Sequence, residues 1–124
     1  MSNRRNRPIS PHATIYRLAW AMAASFTHRL TGMALTMAGS VVLAWYLMAV
    51  ASGPKEYAKF VVFASSWFGK FVLVGISWSL FQHLASGLRH LAFDLGYGFN
   101  LETARRTAIA SFASSIILTA LFWA

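Results

Sequence analysis

The alternation of apolar and polar positions divides this chain into three long apolar stretches separated by two short clusters of charged residues. The first stretch, Leu30 to Pro54, contains no Asp, Glu, Lys or Arg. At about 1.5 Å per helical residue it is long enough to cross the ~30 Å hydrocarbon layer of a bilayer. It predicts a first span over about Phe26 to Val50. Gly32, Thr36 and Ser40 lie four apart on it and form a small-residue stripe that permits close approach of another helix. Ser52, Gly53 and Pro54 end that helix, and Lys55, Glu56 and Lys59 mark the first loop. Phe60 to Ser65 is expected at the membrane interface. A second span follows over about Ser66 to Gly87, with Trp67 anchoring its outer end and Lys70 reaching back to water. Arg89, His90 and Asp94 open the second loop, which continues through the glycine-rich Leu95 to Leu101. Asn100 and Thr103 are equal candidates for capping the next helix. Arg105 and Arg106 then precede a third span over about Thr107 to Trp123.

The pattern therefore predicts an all-α membrane protein with three transmembrane helices. Residues 1–24 form a basic N-terminal segment and residues 25–124 a three-helix anchor domain. The chain shows no internal repeat and no low-complexity tract.

Composition supports lipid as the main solvent. Hydrophobic residues make up 57% of the chain and charged residues 11%, where a soluble domain carries about a quarter charged residues. The mean hydropathy is +0.52. The formal charge of +8 comes from 11 Lys and Arg against 3 Asp and Glu. In such a chain the excess serves topology first, so no nucleic-acid partner is implied. Arg4, Arg5, Arg7, Arg17 and Arg29 precede the first span, and Arg89, Arg105 and Arg106 lie between the second and third. Lys55, Lys59 and Lys70 lie on the other side. The positive-inside rule then places the N-terminus in the cytoplasm, or in the matrix for a mitochondrial protein, and the C-terminus across the membrane. The basic N-terminal segment is suited to anionic lipid or a partner protein, although topology alone explains its charge. It has no apolar run or cleavage pattern of a secretory signal. The absence of Cys excludes disulfides, thiolate metal sites and Cys-attached haem.

Two groups of residues could carry chemistry. His83 lies inside the second span, six residues before Arg89 and hence about 9 Å below the boundary. An imidazole there needs a partner, which leaves two readings open: a neutral histidine bonded to a neighbouring helix, or a metal or haem ligand. His90 is seven residues farther on and reads as a solvated loop histidine. On the first span Ser25, His28 and Arg29 share one helix face in the same leaflet as His83. Arg29 can bond a carboxylate or a quinone carbonyl, Ser25 can donate to a carbonyl oxygen, and His28 can pair with an anion. The bland alternative is an arginine reaching lipid phosphate beside polar residues at a helix start. Asp94 is expected to pair with Arg89 or His90.

Three strings, RPISPHATIYR (Arg7 to Arg17), SFTHRLTG (Ser25 to Gly32) and HLASGLRHLAFDLGYGF (His83 to Phe99), resemble the large cytochrome b subunit of succinate dehydrogenase, respiratory complex II. The likeness covers nearly the whole length, in the right order. It implies that His83 is an axial ligand of one haem b, with the second axial histidine supplied by a small membrane-anchor subunit. It also implies that Ser25 and Arg29 bind ubiquinone, and that His28 and Arg29 lie near the haem propionates. His12, Arg89, His90 and Asp94 receive no role from it. With no flavin-binding glycine motif and no Cys for iron–sulfur clusters, the chain is not expected to oxidise succinate itself. A flavoprotein subunit and an iron–sulfur subunit would do so, linking the tricarboxylic acid cycle to the respiratory chain. The start at Met1 without a transit peptide favours a bacterial inner membrane over a mitochondrial one. Two other readings remain: an anchor of a quinol:fumarate reductase, and a haem-free membrane anchor or assembly protein.

Overall fold

The computed structural model describes residues 20–124, and all of its regular elements there are helical. The basic segment up to Ala19, with Arg4, Arg5, Arg7, His12 and Arg17, lies outside the described residues.

The first span is one rod in three pieces: α1 (Trp20–Ala34), a π-helical turn (Leu35–Gly39) and α2 (Ser40–Ser52). In the wide turn the Ser40 N–H donates to the Leu35 carbonyl, five residues back. The Thr36 hydroxyl meanwhile donates to the Gly32 carbonyl at 2.8 Å. A side chain competing for a backbone acceptor is a recognised cause of such a break in the helical ladder. The apolar part of the rod, Met22–Ser52, is 31 residues long, or about 46 Å. It therefore reaches beyond the hydrocarbon at one or both ends.

Gly53 ends α2 with φ of +104°, a conformation open to glycine, and Pro54 starts α3 (Pro54–Ser65) where its missing N–H costs nothing. The charged run expected as a loop, and the segment expected at the interface, thus form one helix. It is held because Phe60, buried, and Phe63 set their rings 5.2 and 4.8 Å from Trp45 of α2. Tyr57 packs edge-on to Tyr46. Ser66 then turns the chain: its hydroxyl donates to the Phe63 carbonyl at 2.6 Å and accepts from the Gly69 N–H at 3.1 Å. Gly69 is required at this corner, because a Cβ there would collide with the Phe63 carbonyl.

The second span, α4 (Trp67–Asp94), continues well past the expected end at Gly87. Arg89, His90 and Asp94 are consequently helical and not part of a loop. Gly87 does not stop the helix, because LRHLAFD beyond it is composed of residues with acceptable helical propensity. The stop is Gly96, with φ of +87°, whose N–H bonds the Phe93 carbonyl while the Tyr97 N–H bonds that of Ala92. After residues 95–100, α5 (Leu101–Trp123) starts earlier than the expected Thr107. Asn100, not Thr103, is its cap, accepting from the Glu102 N–H at 3.2 Å.

Three helical stretches are long and apolar enough to cross a membrane: Met22–Ser52, Trp67–Asp94 and Leu101–Trp123. α4 packs most extensively on α5, and α1 crosses both. Their interior is polar and the lipid-facing surface apolar. Thr31, Ser79, Gln82, Ser86, Arg89, Ser111, Ser115 and Thr119 are buried, while Leu, Val, Phe and Met side chains point outward. Small hydroxyl residues let helix backbones approach closely where no hydrophobic force pulls them together. The central contact is a hydrogen bond from the Ser115 hydroxyl to Gln82 Oε1 at 2.6 Å, between two fully buried side chains. Of the stripe expected on the first span, only Gly32 sits in a helix contact; Thr36 and Ser40 are exposed.

Replacing Ser115 by Ala should cost about 1 kcal/mol of stability, by leaving the Gln82 amide oxygen buried without a partner. A second change, Gln82→Leu, should recover most of that loss. Thermal melts of the detergent-solubilised single and double variants check both statements.

Candidate functional site

The motif SFTHRLTG forms two turns of α1, and HLASGLRH forms two turns of α4. Residues three, four and seven apart fall on one helix face, so α1 presents His28, Thr31 and Gly32 to α4, which answers with His83, Gly87 and His90. The rings interlock there. His28 lies flat on His83, with centroids 3.9 Å apart and planes at 11°. His90 meets His28 edge-on at 4.7 Å and 84°. Glycine makes room on both helices. A Cβ at residue 32 would lie 3.1 Å from His83 Cε1, and one at residue 87 would lie 3.8 Å from His28 Cε1.

The hydrogen bonds assign the His83 tautomer. Its Nδ1 lies 3.1 Å from the His28 carbonyl oxygen and 3.2 Å from Thr31 Oγ1. The carbonyl can only accept, so Nδ1 carries the proton. The Thr31 hydroxyl spends its own proton on the same carbonyl, at 3.0 Å, and is left as an acceptor for Nδ1–H. In the neutral ring Nε2 then keeps its lone pair, and it has no hydrogen-bond partner among the described residues. A histidine held in this way, with one nitrogen donating to a backbone carbonyl, is oriented to coordinate through the other. His28 Nδ1 is buried with no hydrogen-bond partner among the described residues. No group of three or more His, Cys, Asp or Glu arranged to hold an ion occurs among the described residues. The free nitrogen thus suits a group that brings most of its own ligands.

Ser25, His28 and Arg29, expected on one face, do not all point to the same place. His28 turns into the helix contact, Ser25 is half-buried and Arg29 is exposed. Neither Ser25 nor Arg29 has a side-chain hydrogen bond or ion pair among the described residues, so both are free to meet a ligand or partner. The expected Asp94 pairing does not form. Arg89 donates instead to Thr107 Oγ1 at 3.1 Å and to the Ala104 carbonyl at 3.3 Å. His90 faces His28, and Asp94 is exposed without a partner among the described residues. His90, expected in solvated loop, is a half-buried member of the ring cluster.

The model of the succinate dehydrogenase/fumarate reductase transmembrane subunits matches residues 3–122. The chain belongs to that family. Among its relatives is the succinate dehydrogenase cytochrome b556 subunit of Paracoccus denitrificans, 43% identical over 96% of this chain and 91% of the relative. The subunit of the same name from Rickettsia felis is 40% identical over 94% of the chain and 90% of the relative. The mitochondrial cytochrome b560 subunit of Mus musculus is 34% identical over 85% of the chain and 63% of the relative. The expected family and the three-helix membrane architecture are thus both found.

Sequence reasoning on this family member missed what Thr31 and Gly87 do, and that Gly32, expected at a close helix approach, makes room for the His83 ring. A signal was present, since Thr31 and Gly32 stand three and four residues after His28 and must share its face. The burial of Gln82, Ser86 and Ser115 had a fainter signal, as single polar residues in apolar runs.

Gly32→Ala should force His83 or the two helices apart and destabilise the fold by about 1–3 kcal/mol. Gly39→Ala, whose nearest neighbour would be a Leu35 side chain at 3.9 Å, should leave the melting temperature unchanged within about 0.5 kcal/mol. Paired thermal melts check the contrast.

Proposed function

We propose that this chain is the cytochrome b anchor of a bacterial succinate:ubiquinone oxidoreductase, set in the inner membrane with its N-terminus in the cytoplasm. The observation that carries the reading is His83 at the α1–α4 contact, with Nδ1–H committed to the His28 carbonyl and Nε2 free. His83 would hold the iron of one haem b, and a small membrane-anchor subunit would supply a second histidine to it. Cytochrome b naming of the relatives supports that cofactor.

The residues present fit such a group. The bond to a backbone carbonyl fixes the tautomer and stops the imidazole from rotating. The His28 ring on one face and Gly32 beside Cε1 restrict it further. The orphaned Nδ1 of His28 supports a polar partner at that point, and with the exposed Arg29 it would serve the haem propionates. When bound, haem b supplies one-electron transfer.

Ubiquinone would bind near Ser25 and Arg29, one helical turn apart on α1. The Ser25 hydroxyl would donate to one carbonyl oxygen. The Arg29 guanidinium, permanently charged and without a partner among the described residues, would stabilise negative charge as it develops on a quinone oxygen. Succinate oxidation and electron delivery would belong to the flavoprotein and iron–sulfur subunits docked on the cytoplasmic side.

His83→Ala should abolish the reduced-minus-oxidised haem spectrum of the purified complex; an unchanged spectrum would remove His83 from the iron. Arg29→Gln should keep that spectrum and lower succinate-driven ubiquinone reduction roughly a hundredfold. Normal turnover in that variant would place the quinone elsewhere.

A further inference from the structure

α4 has a second face, turned away from the histidines, that lines a groove. At about 100° per residue, Ala85 lies some 200° round the helix from His83. On that side α4, α5 and the loop between them enclose an open groove of about 560 Å³. Arg89 lines it midway. Leu88, Ala110 and Ser114 line the end toward the bilayer centre, and Tyr97 and Thr103 the end toward the helix termini.

Arg89 is 8% exposed and carries a full positive charge. Two of its N–H groups are used, by Thr107 Oγ1 and the Ala104 carbonyl, and its guanidinium lies 4.5 Å over the Phe93 ring. A guanidinium has five N–H donors, so three remain. The chain contains only three acids. Glu56 pairs with Lys59, Glu102 with Arg106, and Asp94 is exposed and makes no ion pair with Arg89 or any other described residue. A buried cation with no counter-charge is costly. Neutral acceptors such as the hydroxyl and carbonyl supplied here offset only part of that.

The depth of Arg89 identifies the missing anion. α4 is 28 residues long, or about 42 Å, against a hydrocarbon layer of ~30 Å. Its ends therefore reach the headgroup layers. Arg89, five residues before the Asp94 terminus, stands at the edge of the hydrocarbon layer, where a lipid phosphate lies just above it. We propose that the groove is a binding site for one phospholipid. The phosphodiester would accept hydrogen bonds from Arg89 and one acyl chain would run along Leu88 and Ala110 toward the bilayer centre. Charge-assisted contacts between Arg and phosphate oxygens are among the strong polar contacts in proteins. A neutral quinone would leave the charge unbalanced.

The test uses the complex purified with its partner subunits, delipidated and examined by native mass spectrometry. Titrated with phosphatidylglycerol, the wild type should retain one lipid at this groove. A diacylglycerol of the same chains should bind at least roughly tenfold more weakly, since it lacks the charge-assisted contact. Inorganic phosphate alone should not be retained. Ala110→Phe fills the groove without touching the Arg89 bonds, and should abolish the bound lipid while leaving the assembly and its melting temperature intact. Arg89→Lys keeps the charge but loses the planar fork, and should weaken retention severalfold. Equal binding of diacylglycerol, or lipid retention unaffected by Ala110→Phe, would overturn the proposal. So would crosslinking of Ala110→Cys to a partner subunit, which would show protein in the groove.

Discussion

One hydrogen bond organises the interior: His83 Nδ1–H to the His28 backbone carbonyl, at 3.1 Å. It joins two helices distant in sequence, fixes the tautomer of the imidazole and chooses which nitrogen stays open. It forms only because α1 and α4 approach closely, which Gly32 allows by having no Cβ against the ring. In lipid, where apolar side chains gain nothing by leaving the tails, such polar and packing contacts hold helices together. The Gln82–Ser115 bond does the same between α4 and α5. Each of these two contacts ties α4 to a different neighbour, so α4 is the helix on which the bundle depends.

The number of spans was legible from hydropathy because lipid demands long apolar runs, and the run around Leu30 to Pro54 admits no other reading. The ends were less legible. Charged residues in LRHLAFD and LETARR suggest a loop by polarity, yet their backbones favour helix and their side chains find partners within it. Arg89 bonds across to α5 and Arg106 pairs with Glu102. α3 was misread for a related reason: its lysines and Glu56 form the wet face of a helix whose aromatic face packs on α2.

The candidate site was legible as residues and not as geometry. His83 and His28 stood out because polar groups in hydrocarbon are costly and need partners. That the two rings would stack, and that a carbonyl would take the Nδ1 proton, depends on the rotation of one helix against another. Spacing within a single helix carries no such information. The polar seam of Ser79, Gln82, Ser86, Ser111 and Ser115 was hidden similarly, since a hydroxyl tolerates lipid or protein surroundings alike.

The wide turn at Leu35–Gly39 has a mechanical consequence. A π-helical turn accommodates one residue more than a regular turn would, and each residue of an α-helix advances the rotation by about 100°. The two halves of the rod are thereby phased separately: the N-terminal half aims His28 and Thr31 at α4, and the C-terminal half aims Trp45 and Tyr46 at α3. The turn works as a phase setter: the angle between the imidazole-bearing face and the aromatic face of one continuous rod is fixed at Leu35–Gly39, far from either contact.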